Sequence, residues 1–329
     1  MTDAALKARV PGFSDVVAAA GRIAPFVVRT PVMRSAAFDA RVGAQVFFKC
    51  ENLQTGGAFK YRGAMNVMLQ LDAKRTPLVI THSSGNHGNA VALAARARGM
   101  RAIVVIPRDS ARSKIAAIEA AGARVELCEP GIPAREKRLA EILAGEPAEL
   151  VHPFDDERII AGQGTAALEL LAEVSDLDVI STPVGGGGLI GGTALAARAM
   201  TPKIRVVGAE PEMADDAFQS FRSGERRAVL APKTIADGLR GSIGVRNFEL
   251  LRRFVDDVVT VSEVQIMEAM RIVLADFKLL IEPSSAVAVA AVIAGKSCAR
   301  GQRIGLVISG GNIDLDLCPF LRGERLRNQ

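Results

Sequence analysis

Lys60 ends the run Glu51-Asn52-Leu53-Gln54-Thr55-Gly56-Gly57-Ala58-Phe59-Lys60, between an apolar strand over residues 46–50 and a helix that begins near Tyr61. A lone lysine at a helix start is ordinarily a solvated cation. Here an aromatic ring precedes it and can act as an apolar floor, and two glycines let the backbone come close to a bound molecule. Desolvation lowers an amine's pKa from about 10.4 and makes it a nucleophile that can hold an aldehyde as a Schiff base. Three more segments carry chemistry-bearing residues at strand-to-helix junctions: Ser83-Ser84-Gly85-Asn86-His87, Gly185-Gly186-Gly187-Gly188 and Ser309-Gly310-Gly311-Asn312.

Each of these has a plainer alternative. The four glycines lie between a strand over 178–183 and a helix from Leu189. They expose backbone N–H groups beside a positive helix dipole, which suits a phosphate. A flexible tight turn or a dinucleotide loop are the competing readings, although the spaced GxGxxG pattern is missing. The hydroxyls and Asn86 of the second segment either cap their helix or hold a substrate carboxylate. Glu210-Pro211-Glu212-Met213-Ala214-Asp215-Asp216 packs four carboxylates into seven residues. That is either a charged helix start or an oxygen-rich site for Mg²⁺ or Ca²⁺. His82 and His152 read equally as core or site-lining groups, and Cys128-Glu129 and Asp155-Asp156 have no distinctive reading.

The elements that must position these residues follow a βα rhythm. Strands are expected over 78–81, 102–106, 124–128, 179–181, 205–209, 258–261 and 304–308. Helices are expected over 86–98, 111–120, 134–143, 159–174, 189–200, 263–276 and 284–294. Apolar strands separated by helices imply parallel sheets covered on both faces. The rhythm is most regular between residues 74 and 149, which predicts a small α/β domain over 75–154. A large domain of 1–74 plus 155–329 would hold the rest, with ligands in the crevice beyond the strand ends.

The chain has 329 residues, 49% of them apolar, with no Trp and only 4% aromatics, so a large aliphatic core is expected. The net charge of +5 is spread along helix faces without a basic run, which argues against nucleic acid as a partner. Cys50, Cys128, Cys298 and Cys318 lack CxxC spacing, so free thiols in a reducing compartment are expected. No secretory start and no apolar stretch of the roughly 20 residues that span a bilayer is visible, so a cytoplasmic protein without a membrane partner is expected.

Together with Thr81-His82, Gly88, Val151-His152-Pro153, Ala161-Gly162-Gln163-Gly164-Thr165, Ala236-Asp237-Gly238 and Leu280-Ile281-Glu282-Pro283, the four segments resemble the pyridoxal-phosphate (PLP)-dependent serine/threonine dehydratase and serine racemase family. The resemblance runs from about residue 30 to 315 and is strongest toward the racemase and hydroxyaspartate dehydratase members. It implies an α/β fold of type II, similar to tryptophan synthase β, with two open parallel-sheet lobes and the cofactor between them. By resemblance Lys60 carries the cofactor with Phe59 under its ring, and Asn86 meets the ring hydroxyl. Gly185, Gly186, Gly187, Gly188 and Leu189 hold the phosphate, and Ser309 meets the ring nitrogen. A hydroxyl at that nitrogen weakens the electron sink, which suits elimination or proton exchange.

The resemblance also implies substrate contacts from Ser83, Ser84, Asn86, His87, Arg135 and Ser242. Ser84 stands where racemase-like members place a residue opposite the lysine. Glu210, the carbonyl of Ala214 and Asp216 match a divalent-cation site, so Mg²⁺ or Ca²⁺ is expected. Ala58 departs from a common Ser, Phe154 from the Asn of animal racemases, and Thr55 from a Lys associated with nucleotide, which puts ATP activation in doubt. The implied reaction is ammonia-lyase (dehydratase) chemistry on a 3-hydroxy amino acid such as serine, threonine or threo-3-hydroxyaspartate, by a homodimer. The freed Lys60 would take the Cα proton, and loss of the β-hydroxyl would lead to a keto acid and ammonia. A serine racemase is the first alternative. A non-catalytic binder of a phosphate ligand and a nicotinamide oxidoreductase are alternatives of other classes.

Overall fold

The computed structural model describes residues 9–315 apart from 84, 111, 230 and 231. In chain order the elements are α1 (Phe13–Ile23), β1 (Val32–Met33), α2 (Ala36–Val42), β2 (Gln45–Cys50), α3 (Lys60–Met68), β3 (Leu78–His82), α4 (Asn86–Ala97), β4 (Arg101–Pro107), α5 (Arg112–Ala120), β5 (Arg124–Cys128) and α6 (Ile132–Gly145). There follow β6 (Glu149–Leu150), α7 (Glu157–Glu173), β7 (Val179–Pro183), α8 (Gly188–Met200), β8 (Arg205–Pro211), α9 (Asp216–Ser223), α10 (Val245–Phe254), β9 (Asp257–Val261), α11 (Glu263–Phe277), α12 (Pro283–Ile293) and β10 (Arg303–Ile308).

The expected strands all form, most of them a residue or two longer. Four short helices (α1, α2, α9, α10) and the two-residue strands β1 and β6 were not expected. Each of those helices buries only one to three side chains, such as Val16, Ala19 and Ile23 of α1, too few to give a readable period.

The strands form two open sheets. The larger has the order β1-β2-β10-β7-β8-β9 and is parallel except for the β1–β2 pair. The smaller, β5-β4-β3-β6, is parallel throughout. Every residue of β7 is buried, as a strand covered by helices on both faces requires. The register pairs Ile308 with Cys50 and Leu306 with Ser181, so β2, β10 and β7 end at one edge of the large sheet. The loops after these three strands are therefore neighbours.

Helix α7 is the backbone of the larger layer. A Cβ added at Gly162 would lie 2.6 Å from the Cα of Gly63, and one at Gly164 would lie 2.7 Å from the carbonyl of Gly192. Helices α3 and α8 thus press onto α7 backbone to backbone, with nothing but hydrogen between them. Those are the helices that open with Lys60 and with the glycine loop. The core is aliphatic, as the composition implies, with one aromatic knot in which Phe48 and Phe277 stack at 4.1 Å. Tyr61, the only tyrosine of the chain, is buried in a separate cluster with Ile23, Met65 and Val91.

Candidate active site

Beyond β2 the chain makes two short 3₁₀ turns, extends at Ala58 and enters α3. Ala58 pairs with Gly310 in an antiparallel bridge, Phe59 N–H donates to the Ser309 carbonyl at 2.9 Å, and Gly311 N–H donates to the Gly57 carbonyl at 2.9 Å. The lysine loop is stitched in this way to the turn that follows β10. Lys60 Nζ donates to the Pro153 carbonyl at 2.8 Å and sits 5.1 Å from the centroid of the Phe59 ring. Burial lowers the Lys60 pKa to about 8, against a smaller opposing pull from Glu282.

The turn after β10 also holds Asn86. Asn312 Nδ2 donates to Asn86 Oδ1 at 2.9 Å, and Asn86 Nδ2 donates to the two carboxylate oxygens of Glu282 at 2.8 and 2.9 Å. Glu282 is 5% exposed, and burial raises its pKa to about 7. Sequence reasoning passed over Glu282, because a glutamate before the proline that opens α12 reads as a helix start. Its only signal was membership of the segment Leu280–Pro283 quoted above. Ser309 Oγ lies 2.9 Å from Ser285 Oγ, and that hydroxyl also donates to the Gly310 carbonyl at 2.6 Å. Ser309 is therefore held from behind, at the mouth of the same strand edge.

The glycine loop joins β7 to α8. The bonds it makes use its carbonyls: Gly244 N–H and Asn247 Nδ2 donate to the Gly186 carbonyl at 3.1 and 2.7 Å. A Cβ at Gly186 would lie 2.1 Å from the Phe154 ring, so only glycine fits there. Gly187 adopts φ +88 and caps α8, whose first N–H groups have no intrahelical acceptor. Leu189 is 5% exposed within α8. On the small-sheet side Ser83 Oγ accepts from Gly85 N–H at 3.3 Å, and Ser84 lies outside the described residues.

His87 and His152 lie close enough to Lys60 to feel its charge, and His82, the third histidine of the chain, adjoins them both. His152 Nδ1 accepts from the N–H groups of Phe154 and Asp155 at 3.3 and 2.9 Å, which places its proton on Nε2. Its ring stands edge-on to that of His82, with centroids 6.0 Å apart. His87 Nε2 meets the Val151 carbonyl at 3.2 Å, and its Nδ1 is buried with no partner. Burial lowers the pKa of His82 and His152 to about 4 and that of His87 well below its ordinary value, so all three are neutral at pH 7. Arg135 acts electrostatically on His82 and has a buried Nε without a hydrogen-bond partner. Ser242 is half-buried, between Gly241, which faces the Phe154 ring, and Ile243.

The acidic segment splits. Glu210 is fully buried near the end of β8, accepting from Ala217 and Phe218 N–H at 3.2 and 2.7 Å. Asp216 is 2% exposed, and its Oδ2 accepts from Ile243 N–H at 2.7 Å. Burial, with Asp216 adding to it, raises the Glu210 pKa well above the usual range; burial raises that of Asp216 to about 6. Glu212 points to solvent. Among the described residues no group of three or more His, Cys, Asp or Glu side chains is spaced to hold a metal.

The family described as pyridoxal-phosphate dependent enzyme matches residues 23–310. A beta-hydroxyaspartate dehydratase of Paracoccus denitrificans (strain Pd 1222) is 41% identical over 94% of this chain and 99% of its own length. A serine racemase of Arabidopsis thaliana is 45% identical over 89% of this chain and 91% of its own. The solved structure of maize serine racemase superposes with a TM-score of 0.91 at 42% identity, covering 93% of this chain and 95% of the other. A match of that extent, on a fold that brings the lysine loop, the glycine loop and Ser309 to one sheet edge, means that the chain belongs to the pyridoxal-phosphate-dependent enzymes, in the branch of the α/β type-II fold that contains serine racemase and the hydroxyaspartate ammonia-lyases.

Proposed function

We propose that this enzyme is an ammonia-lyase of 3-hydroxy amino acids whose preferred substrate is threo-3-hydroxyaspartate. The observation that carries the substrate choice is a line of side chains from Lys60 through His152 and His82 to Arg135. A half-buried guanidinium whose Nε has no hydrogen-bond partner, close enough to His82 to act on it electrostatically, is suited to a second carboxylate. The dehydratase name of the Paracoccus relative points the same way.

The residues present fit pyridoxal phosphate. Phe154 fills one side of the glycine loop and leaves the N–H groups of residues 185–189 to receive the phosphate, with Phe59 as floor and Ser309 for the ring nitrogen. Asn86, held between Glu282 and Asn312, is the residue we assign to the ring hydroxyl. The cofactor, when bound, supplies the electron sink that makes the Cα proton acidic. Lys60, its amine desolvated and steered by the Pro153 carbonyl, takes that proton as general base. Ser83, Asn86 and His87, about the start of α4, receive the α-carboxylate in this reading, with Ser84 assigned the same role by resemblance alone. In this reading Arg135 and Ser242 receive the second carboxylate, at the β-carbon end of the substrate. His152, with its proton on Nε2, is a neutral donor in the same cleft.

Product analysis tests this with D- and L-serine, L-threonine and threo-3-hydroxyaspartate: keto acid and ammonia should form, fastest from hydroxyaspartate. Replacing Arg135 by Gln should lower kcat/KM for hydroxyaspartate about 100-fold, since losing one partner of a desolvated charge pair costs about 2–5 kcal/mol. Serine turnover should change by less than about threefold, because serine has no second carboxylate to lose the pair. Equal losses on both substrates would exclude this role for Arg135. A second reading, serine racemase, is favoured by the name of the Arabidopsis relative and by Ser84 in the sequence. Formation of the opposite enantiomer, abolished in Ser84→Ala, would establish it.

We also propose Mg²⁺ or Ca²⁺ at Glu210, the Ala214 carbonyl and Asp216, where burial raises the pKa of both carboxylates despite the pull of Arg226 on Asp216; chelation should lower the thermal midpoint, and an unchanged midpoint would refute it. No helix among the described residues is long and apolar enough to cross a membrane. A homodimer in the cytoplasm completes the proposal, with Cys50, Cys128 and Cys298 as free thiols and Cys318 outside the described residues; light scattering and cell fractionation test it.

A further inference from the structure

Behind the active lysine lies a buried network of four charges that the reaction itself does not touch. Lys49, Glu51 and Arg62 are all fully buried, and Glu169 retains 19% exposure of its side chain. Arg62 grips Glu51 through Nε and Nη2 at 2.7 and 2.8 Å, and Glu169 through Nη1 and Nη2 at 2.7 and 2.9 Å. Lys49 Nζ donates to Glu169 Oε2 at 2.6 Å and to the Thr30 carbonyl at 2.7 Å, while Thr30 Oγ1 donates to Glu51 Oε1 at 2.5 Å. The network thus joins the strap before β1, the end of β2, the first turn of α3 and the body of α7.

Ion pairs so far from water recover their desolvation cost only with near-ideal geometry, and apolar residues of similar volume often replace them without loss of stability. Stability alone is therefore a weak reason for this arrangement, and its geometry suggests another. Arg62 follows Lys60 by two positions, about 200° around the helix at 3.6 residues per turn. The first turn of α3 consequently shows Lys60 to the cleft and Arg62 to the interior. A planar guanidinium held by two carboxylates at once fixes both the height of that turn and its rotation about the helix axis. An ammonium is a point charge and cannot fix the rotation.

We propose that Arg62 is a positioning residue for the reaction: clamped between Glu51 and Glu169, it sets the rotation of α3 and so aims Lys60 at the cofactor aldehyde and at the substrate Cα. The proposal rests on Lys60 as the attachment site. That is checked first, by borohydride reduction of the loaded wild-type enzyme and peptide mapping; an adduct on another lysine defeats the Lys60 assignment, independently of Arg62.

The test compares the full-length enzyme with Arg62→Lys and Glu169→Gln at a temperature where circular dichroism shows each folded. Three quantities are read: kcat and KM separately, the rate at which cofactor-free protein develops the visible lysine-bound band on addition of pyridoxal phosphate, and the thermal midpoint. Arg62→Lys should lower kcat at least about tenfold with KM nearly unchanged, and slow band formation alike, since misplacing a reacting group by about 1 Å costs up to about 100-fold. Glu169→Gln keeps the Glu51 grip and should show the same pattern at a few-fold. It also decides the matter if Arg62→Lys does not fold. A lower thermal midpoint with wild-type kcat and wild-type band formation would overturn the proposal and leave the network a structural one.

Discussion

Burial holds the Lys60 amine at a pKa of about 8, so near neutral pH a usable fraction is already the unprotonated nucleophile. Attachment of pyridoxal phosphate to the cofactor-free enzyme should accelerate with pH and level off just above 8, and Lys60→Ala should show no attachment. A midpoint near 10.5 in stopped-flow absorbance would contradict the buried environment. The same shift has a sign for stability: between about 8 and 10.5 the unfolded chain holds the proton that the folded one has given up, so this group's contribution rises with pH across that window. At this scale the sequence was legible wherever chemistry is written in consecutive residues, as in the lysine loop and the glycine run. It was silent where a role depends on distant partners. Glu282 meets Asn86 across 196 positions of sequence, and Asp155 gains its role by capping the start of α10 through Val245 and Arg246 N–H.

Helix α7 sets the relative position of α3 and α8 through contacts that leave no room for a methyl group. In Gly162→Ala the new Cβ would stand 2.6 Å from Gly63 Cα and 2.9 Å from the Arg62 carbonyl, both backbone atoms that cannot swing aside. This substitution should destabilise the enzyme by about 1–3 kcal/mol, the usual range for overpacking. It should also lower kcat more than binding, because α3 carries Lys60 away from the glycine loop. Gly21→Ala, on α1 with open space around its added methyl, is the control expected to be nearly neutral; urea melts compare the two. The βα alternation was readable because buried parallel strands are continuously apolar. The glycines of α7 were quoted only as part of a resemblance, since nothing in a helix-period pattern distinguishes a close helix crossing from a weak helix.

Between the two sheets the cleft gathers every histidine the chain possesses. The folded protein refuses protons on His82 and His152 until about pH 4, whereas the unfolded chain accepts them below about 6.5. Stability from these groups is complete above pH 6.5 and is lost as the pH falls toward 4. Replacing His82 and His152 by Asn should flatten that acid limb in urea midpoints taken from pH 7 to 4.5, and an unchanged slope would count against their neutrality in the fold. The two-sheet architecture and a ligand crevice beyond the strand ends were expected from the rhythm of the chain, and the resemblance supplied the cofactor between the sheets. The meeting of the histidines was not, because it depends on how residues 151–156 return from the small sheet toward α7. We retain as a proposal the division into a small α/β domain of 75–154 and a large cofactor-binding domain of 1–74 plus 155–329.

One further consequence follows from Tyr61, buried one position after the lysine and unaccompanied by any tryptophan. The enzyme owns a single useful fluorophore, and it sits at the first turn of α3. Its emission reports on that turn and on nothing else, free of background from the rest of the fold. A chromophore bound at Lys60 would lie within easy range to quench it by energy transfer, so loading, release and any rotation of α3 can be followed by light from the wild-type protein without a label. The same scarcity makes absorbance near 280 nm a poor measure of concentration, and amino-acid analysis should replace it in every assay above.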